Sequence, residues 1–466
     1  MGGYGHAPNG FNSGPGRNGG TVMRRPGGGV AGFHDPGRGM DVHRNLGGGR
    51  TISHERPDHS RVVAYGHGRG FVQRPYMYHG HEFARRDFYG HGGYRGGFYG
   101  RYYYRGGFIN PYFPRAYFGV GFYGWAYNPW AYPVGFGWGW GGSPWFGFYG
   151  PWFSPYPMYA GPAFWLTDYM IAASLQDAYQ SRMDAQADAE AFPPLEAGQG
   201  LSPEVKDQIA EEVKRQIALE NAESMTGRTQ EPDPASSSIQ RSLTDGIKHV
   251  FIAGQNLDVV DSNGNECALS EGDALQLIPG GDPNSTTVNL AVLASKGGRE
   301  CGRGAVVAVN LADLQEMQNH MRQTIDAGML ELQKKQGTGG LPPAPASALA
   351  PPNESVLALN APPPPTDSEI ASQISQEYTS ADQAERDALG GAPAPTSSLS
   401  PAPGYQAPTS GAPMGAPPTV TLGQTPAQVL GLLGRPNSVV DLGIKKIYVY
   451  PQMKVTFIGD RVTDVN

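Results

Sequence analysis

The feature that most constrains this chain is a change of side-chain chemistry near Trp165. Residues 1–165 hold 40 of the 67 Gly, 40 of the 49 aromatic residues and all seven Trp. They carry 16 Arg and no Lys against six Asp and Glu, a net +10, whereas residues 166–466 carry −17. Residues 1–82 show little apolar periodicity, and residues 83–165 set 33 aromatics among Gly and Pro that oppose long helices and central strands. This composition predicts a largely disordered N-terminal third. Runs such as Gly135-Phe136-Gly137-Trp138-Gly139-Trp140 would, if extended, turn one aromatic face outward, and such a face needs a partner.

Beyond Thr167 the pattern becomes helical. Met170, Ile171, Leu175, Ala178, Tyr179 and Met183 recur at spacings of three and four, and Ser202-Pro203 opens a second stripe of Val205, Ile209, Val213 and Ile217. The spacing predicts a helical hairpin over 166–225. Short strands are expected at Lys248–Ala253, Leu257–Asp261, Asn265–Leu269, Ala274–Ile278, Thr287–Leu293 and Ala305–Val309, with a type I′ turn at Asn263-Gly264. With a closing helix from Leu311, residues 239–337 read as a small SH3-like β-barrel plus a C-terminal helix. Residues 341–418 have the Pro/Ala composition of an extended linker, with one island, Ser368 to Leu389, of helical character. Residues 419–466 form a compact α+β unit, a helix followed by a β-meander.

In that last unit Thr425-Pro426-Ala427-Gln428 is a capping box, and Gly434 followed by Pro436 stops the helix. The order Gly423, Thr425, Gln428-Val429, Leu433-Gly434, Pro436, then Tyr448, Tyr450, Val455, Phe457, Val462 and Val465 resembles the BamE/SmpA (OmlA) family of small outer-membrane lipoproteins. The resemblance covers about 44 residues. It implies a non-catalytic domain in the bacterial envelope, which in that family supports assembly of outer-membrane β-barrel proteins. The family's lipidated Cys and first helix have no counterpart here. The layout as a whole is similar to Gly/Tyr-rich bacterial envelope proteins.

The sequence as given opens on no basic, then apolar, secretory signal, and no run of 18 apolar residues predicts a transmembrane helix. The envelope assignment therefore expects a start further upstream or a non-standard export route, with the cytoplasm as the alternative. Cys267 and Cys301, the only cysteines, lie 34 positions apart in one predicted domain. That spacing permits a disulfide without demanding one.

Catalytic signals are missing. No Cys-x-x-Cys, His-Glu-x-x-His, Walker-type phosphate loop or Gly-x-Ser-x-Gly element occurs. Nine of the eleven His precede residue 92, without the fixed second shell a metal site requires. No cofactor, metal or enzymatic activity is expected. The candidate interaction residues are Arg95, Tyr99, Arg101, Tyr103, Arg105, Trp138 and Trp140, which combine guanidinium charge with π-faces. They suit envelope proteins, surface polymers or self-association. Single-stranded nucleic acid is the alternative, since bases stack on such rings while Arg follows the backbone.

Overall fold

The computed structural model describes residues 11–46, 49–66, 68–90, 96–187, 200–280 and 282–389, together with Val429 and the strands at 438–442, 445–450, 453–458 and 461–465. Residues 1–395 form one compact unit and residues 396–466 a second.

The described residues of the N-terminal third are not disordered. They include a ten-stranded antiparallel sheet, which overturns the reading from composition. Strands β1 (Asn12–Pro15), β2 (Thr21–Arg24), β3 (Val30–Asp35), β4 (Met40–Arg44), β5 (Arg50–Glu55), β6 (Arg61–Gly66), β7 (Arg69–Tyr78), β8 (His81–Tyr89) and β9 (Gly97–Gly100) follow one another as a meander. A separate hairpin, β10 (Tyr102–Tyr104) and β11 (Gly107–Ile109), precedes β12 (Tyr112–Phe113), which completes the sheet beside β9.

Glycine is punctuation here. His79-Gly80 and Arg105-Gly106 close two-residue hairpins with positive φ at both positions, the geometry that matches strand twist. Between the turns each strand contributes few apolar residues, but the register lines them up. Val22 pairs with Phe33, Phe33 with Val42, Val42 with Ile52 and Ile52 with Ala64, all buried on one face.

What covers that face is the helix at Asp367–Leu389, inside the expected linker. Its Ile370, Ile374, Ala381 and Ala384 join Val42, Ile52, Val62 and Val72 in one core. Its acidic residues meet the bases of the sheet. Arg38 pairs with Asp387 at 2.6 Å, Arg50 with Asp382 at 2.6 Å, and Arg44 Nε donates to Glu385 at 2.9 Å. Glu377 takes both His54 at 2.7 Å and Arg56 at 3.0 Å. The charge separated along the sequence is thus recombined within the fold.

The other face of the sheet packs on a helical body. This contains α1 (Val120–Tyr127), α2 (Pro144–Tyr149), α3 (Pro162–Ala187), α4 (Pro203–Ser224), α5 (Gln240–Thr244) and α6 (Leu311–Lys335); α7 (Val356–Asn360) and α8 (Asp367–Leu389, the covering helix) follow. Ser202 caps α4 by accepting from Val205 N–H, and α4 buries Val205, Ile209, Val213 and Ile217. The stripe from Leu314 to Leu332 on α6 is buried throughout. One core runs from Ile109 to Ala348, so the segments expected as 1–165, 166–225 and 239–337 share it.

Among the described residues the strands expected as a small barrel do not pair into a closed ring. β14 (Val250–Ile252), β17 (Ala274–Leu277), β18 (Thr287–Ala294) and β19 (Val306–Asn310) form an open four-stranded sheet in the order β14-β17-β18-β19. β15 (Leu257–Val260) and β16 (Glu266–Leu269) pair as a hairpin, whose turn end is bridged to β19 through Asp261 and Val307. Its turn is not type I′: only Gly264 has positive φ, and Asp261 Oδ1 accepts from the N–H of Asn263 and of Asn265. The disulfide Cys267–Cys301 ties β16 to the loop before β19.

Residues 396–466 contain an antiparallel four-stranded meander, Ser438–Leu442, Lys445–Tyr450, Met453–Ile458 and Arg461–Val465, with Val429, Tyr450, Val455 and Val462 buried together. The capping box, Thr425 to Gln428, lies outside the described residues.

Candidate functional site

The seven expected interaction residues do not share one surface. Arg95 lies outside the described residues. Tyr99 is fully buried: the Arg86 guanidinium sits 3.9 Å from its ring centroid, and Gln323 donates to its hydroxyl. Its role is to join sheet and α6.

Trp138 and Trp140 are half-buried in a stack. Trp138 lies 4.3 Å from Trp140 and 4.6 Å from Trp165, each pair nearly parallel, and Trp165 stacks on Tyr169. Trp138 Nε1 donates to Tyr159 Oη at 2.6 Å, and that hydroxyl donates to Asp168 Oδ2 at 2.8 Å. Asp168 is buried and paired with Lys206 at 2.7 Å, whose ammonium rests 3.7 Å from the Tyr156 centroid. These Trp are cemented into the body by an indole–phenol–carboxylate–ammonium chain, so the alternating Gly/Trp run folds inward.

Arg101, Tyr103 and Arg105 remain outside, all on the β10–β11 hairpin. Tyr103 is 60% exposed and meets Phe108 edge-on, while Arg101 sits 4.0 Å from the Phe108 centroid and pairs with Glu82 at 2.8 Å. Arg105 at the turn lies 5.1 Å from the Tyr104 centroid. These contacts fix the hairpin's long side chains before anything binds.

A cleft flanks the hairpin on each side. The first, about 370 Å³, is lined by Arg101, Phe108 and Asn110 with Glu55, Gln73 and the exposed Met77 of the sheet. The second, about 500 Å³, runs from Arg105 past Leu243, Ile247, Leu277, Pro279 and Val288. No local sequence signal separated this hairpin from its neighbours except Gly106, which tolerates the left-handed turn that follows the Tyr102–Tyr104 triplet.

A serine and a histidine also meet, Ser174 Oγ and His320 Nε2 at 2.9 Å. Ser174 is fully buried, and its hydroxyl donates to Met170 O at 3.0 Å, a helix back-bond. His320 Nε2 is then the donor to Ser174, the reverse of a nucleophile–base pair.

Among the described residues no group of three metal-ligating side chains gathers, and no helix is long and apolar enough to cross a membrane. Comparison with known proteins finds no matching family model, no similar curated protein and no similar solved structure.

Proposed function

We propose that this protein is a non-catalytic interaction scaffold of the bacterial cell envelope that presents the β10–β11 hairpin to a polyhydroxylated surface polymer. One observation carries this reading: Arg101, Tyr103 and Phe108 are preset on an exposed hairpin beside an open cleft whose other walls include Glu55, Gln73 and Asn110. Sugar rings offer a C–H face for an aromatic ring and paired hydroxyls for planar carboxylate, amide and guanidinium groups. The disulfide supports an oxidising compartment, where such bridges persist.

The same structure weighs against nucleic acid as the partner. Arg38, Arg44, Arg50, Arg56, Arg69, Arg86 and Arg101 are paired with the chain's own carboxylates. A phosphate backbone would have to displace those partners.

Co-sedimentation of the full chain with insoluble envelope polysaccharide tests the proposal. The wild type is expected to sediment, and Arg101→Ala/Tyr103→Ala to remain in solution with an unchanged circular dichroism spectrum. Equal sedimentation of both removes the hairpin from the account. Recovery of the native protein from cytosol with both thiols alkylatable removes the envelope.

A further inference from the structure

A smaller cavity, about 80 Å³, lies between the sheet and helices α3 and α6. Tyr65 and Phe88 line it from the sheet, Tyr169 and Asp177 from α3, and Asp313 and Glu316 from α6. On the scale at which one water needs roughly 10–15 Å³, it holds several waters or a group of a few heavy atoms.

Asp313 is the unusual wall. It is only 8% exposed, forms no ion pair among the described residues, and receives one hydrogen bond there, a 3.5 Å contact from Asn310 Nδ2. Buried carboxylates ordinarily have charged or closely hydrogen-bonded partners. Burial, against the Asn310 contact, pushes its carboxyl up to about 7, as expected of an acid without a counter-ion. The cations nearby are committed elsewhere. Arg86 directs both terminal nitrogens to Glu316 at 2.7 and 2.8 Å, His320 Nε2 faces Ser174, and His43 is hydrogen-bonded to Asp258 at 3.0 Å.

We propose that this cavity binds the ammonium end of a primary alkylamine, with the Asp313 carboxylate as counter-ion and Tyr65, Phe88 and Tyr169 as ring walls. An ammonium brings three N–H donors to a site whose polar atoms include carboxylate acceptors, and aromatic surroundings favour a cation over a neutral guest. The half-buried Asp177 and Gln255 mark the way out for the alkyl chain.

The test uses the full chain at pH 8, with ethylammonium chloride against sodium chloride at equal ionic strength. A guest of three heavy atoms is expected to bind in the millimolar range. Ethylammonium should raise the thermal midpoint above that in sodium chloride, and Asp313→Asn should weaken binding, measured by calorimetry, at least tenfold. In the wild type the side-chain carboxyl 13C signal of one aspartate should move during the titration, a readout that does not depend on the variant folding. Identical midpoints in the two salts, no moving carboxyl signal, or Asp313→Asn binding within twofold of wild type would each overturn the site. Nα-acetyl-lysinamide as a second probe separates the sources: ethylammonium binding alone assigns the cavity to free amines, and binding of both extends it to a partner's lysine.

Discussion

Arg86 of β8 grips Glu316 of α6 with two parallel hydrogen bonds, 2.7 Å from Nη1 to Oε2 and 2.8 Å from Nη2 to Oε1, across the seam between sheet and helical body. The same guanidinium lies over Tyr99 and Phe71, so one side chain closes the seam by charge and by ring contact. Replacing Arg86 by Met strands the Glu316 carboxylate in a largely buried position, and a loss of about 3 kcal/mol is expected. Arg86→Met/Glu316→Leu should recover most of it. Urea denaturation of the three proteins measures this, and additive losses would show that the pair is not coupled.

The helix over the sheet gives a second test. Ile374 is fully buried among sheet residues, although composition alone places it in a linker. Ile374→Ala is expected to cost about 2–4 kcal/mol. A change below 0.5 kcal/mol in the urea midpoint analysis would mean that α8 does not pack there.

His249 provides a pH dependence. Burial opposes its charge, but Glu212 at 3.0 Å and Asp245 at 3.0 Å outweigh burial and hold the imidazolium above its usual value. Glu212 is likewise opposed by burial and held below its usual value by His249, Arg215 and Gln216. The histidine's contribution is complete below the ordinary histidine pKa of about 6.5 and is lost as pH rises through its raised value. The Glu212 contribution is complete above the ordinary glutamate range and is lost as pH falls through the lowered value. His249→Gln should therefore flatten the decline in stability on the alkaline side of pH 6.5. An unchanged slope in denaturant midpoints from pH 6 to pH 9 would contradict this.

The bridge between Cys267 and Cys301 spans 34 positions, a loop for which chain entropy gives about 4 kcal/mol. Cys267→Ser/Cys301→Ser, or the wild type in dithiothreitol, should melt markedly lower than the oxidised protein by calorimetry. Coincident melting curves would show that the link adds no stability.

Gly328 sits where α3 and α6 touch. A Cβ there would stand 2.8 Å from both Leu166 Cδ2 and Tyr169 Cδ1. Gly328→Ala improves helix propensity by up to ~1 kcal/mol but forces these side chains apart. The overpacking is expected to dominate, with net destabilisation of 0.5–2 kcal/mol on the general range for such changes, roughly. A more stable Ala variant would indicate that the neighbours yield freely.

The sequence by itself determined elements whose signals are local. Ser202-Pro203 and the four-residue stripe specify α4, the Leu314–Leu332 stripe specifies α6, and strands in 250–310 follow from their alternation and turns. The ten-stranded sheet was written more faintly. Val42, Ile52, Val62 and Val72 recur every ten residues, one strand and turn at a time, and a window shorter than two strands sees only glycine and charge.

Only the tertiary structure decided what the charge asymmetry and the rings were for. A strand such as β4 or β5 buries too little alone, and its bases find Asp382 and Glu385 more than 300 residues later. Tyr99, Trp138 and Tyr103 are equally aromatic in the sequence, yet the first two are locked inside by Gln323 and Tyr159 while the third stays in water. Which ring faces out depends on partners distant along the chain, and composition carries no record of that pairing.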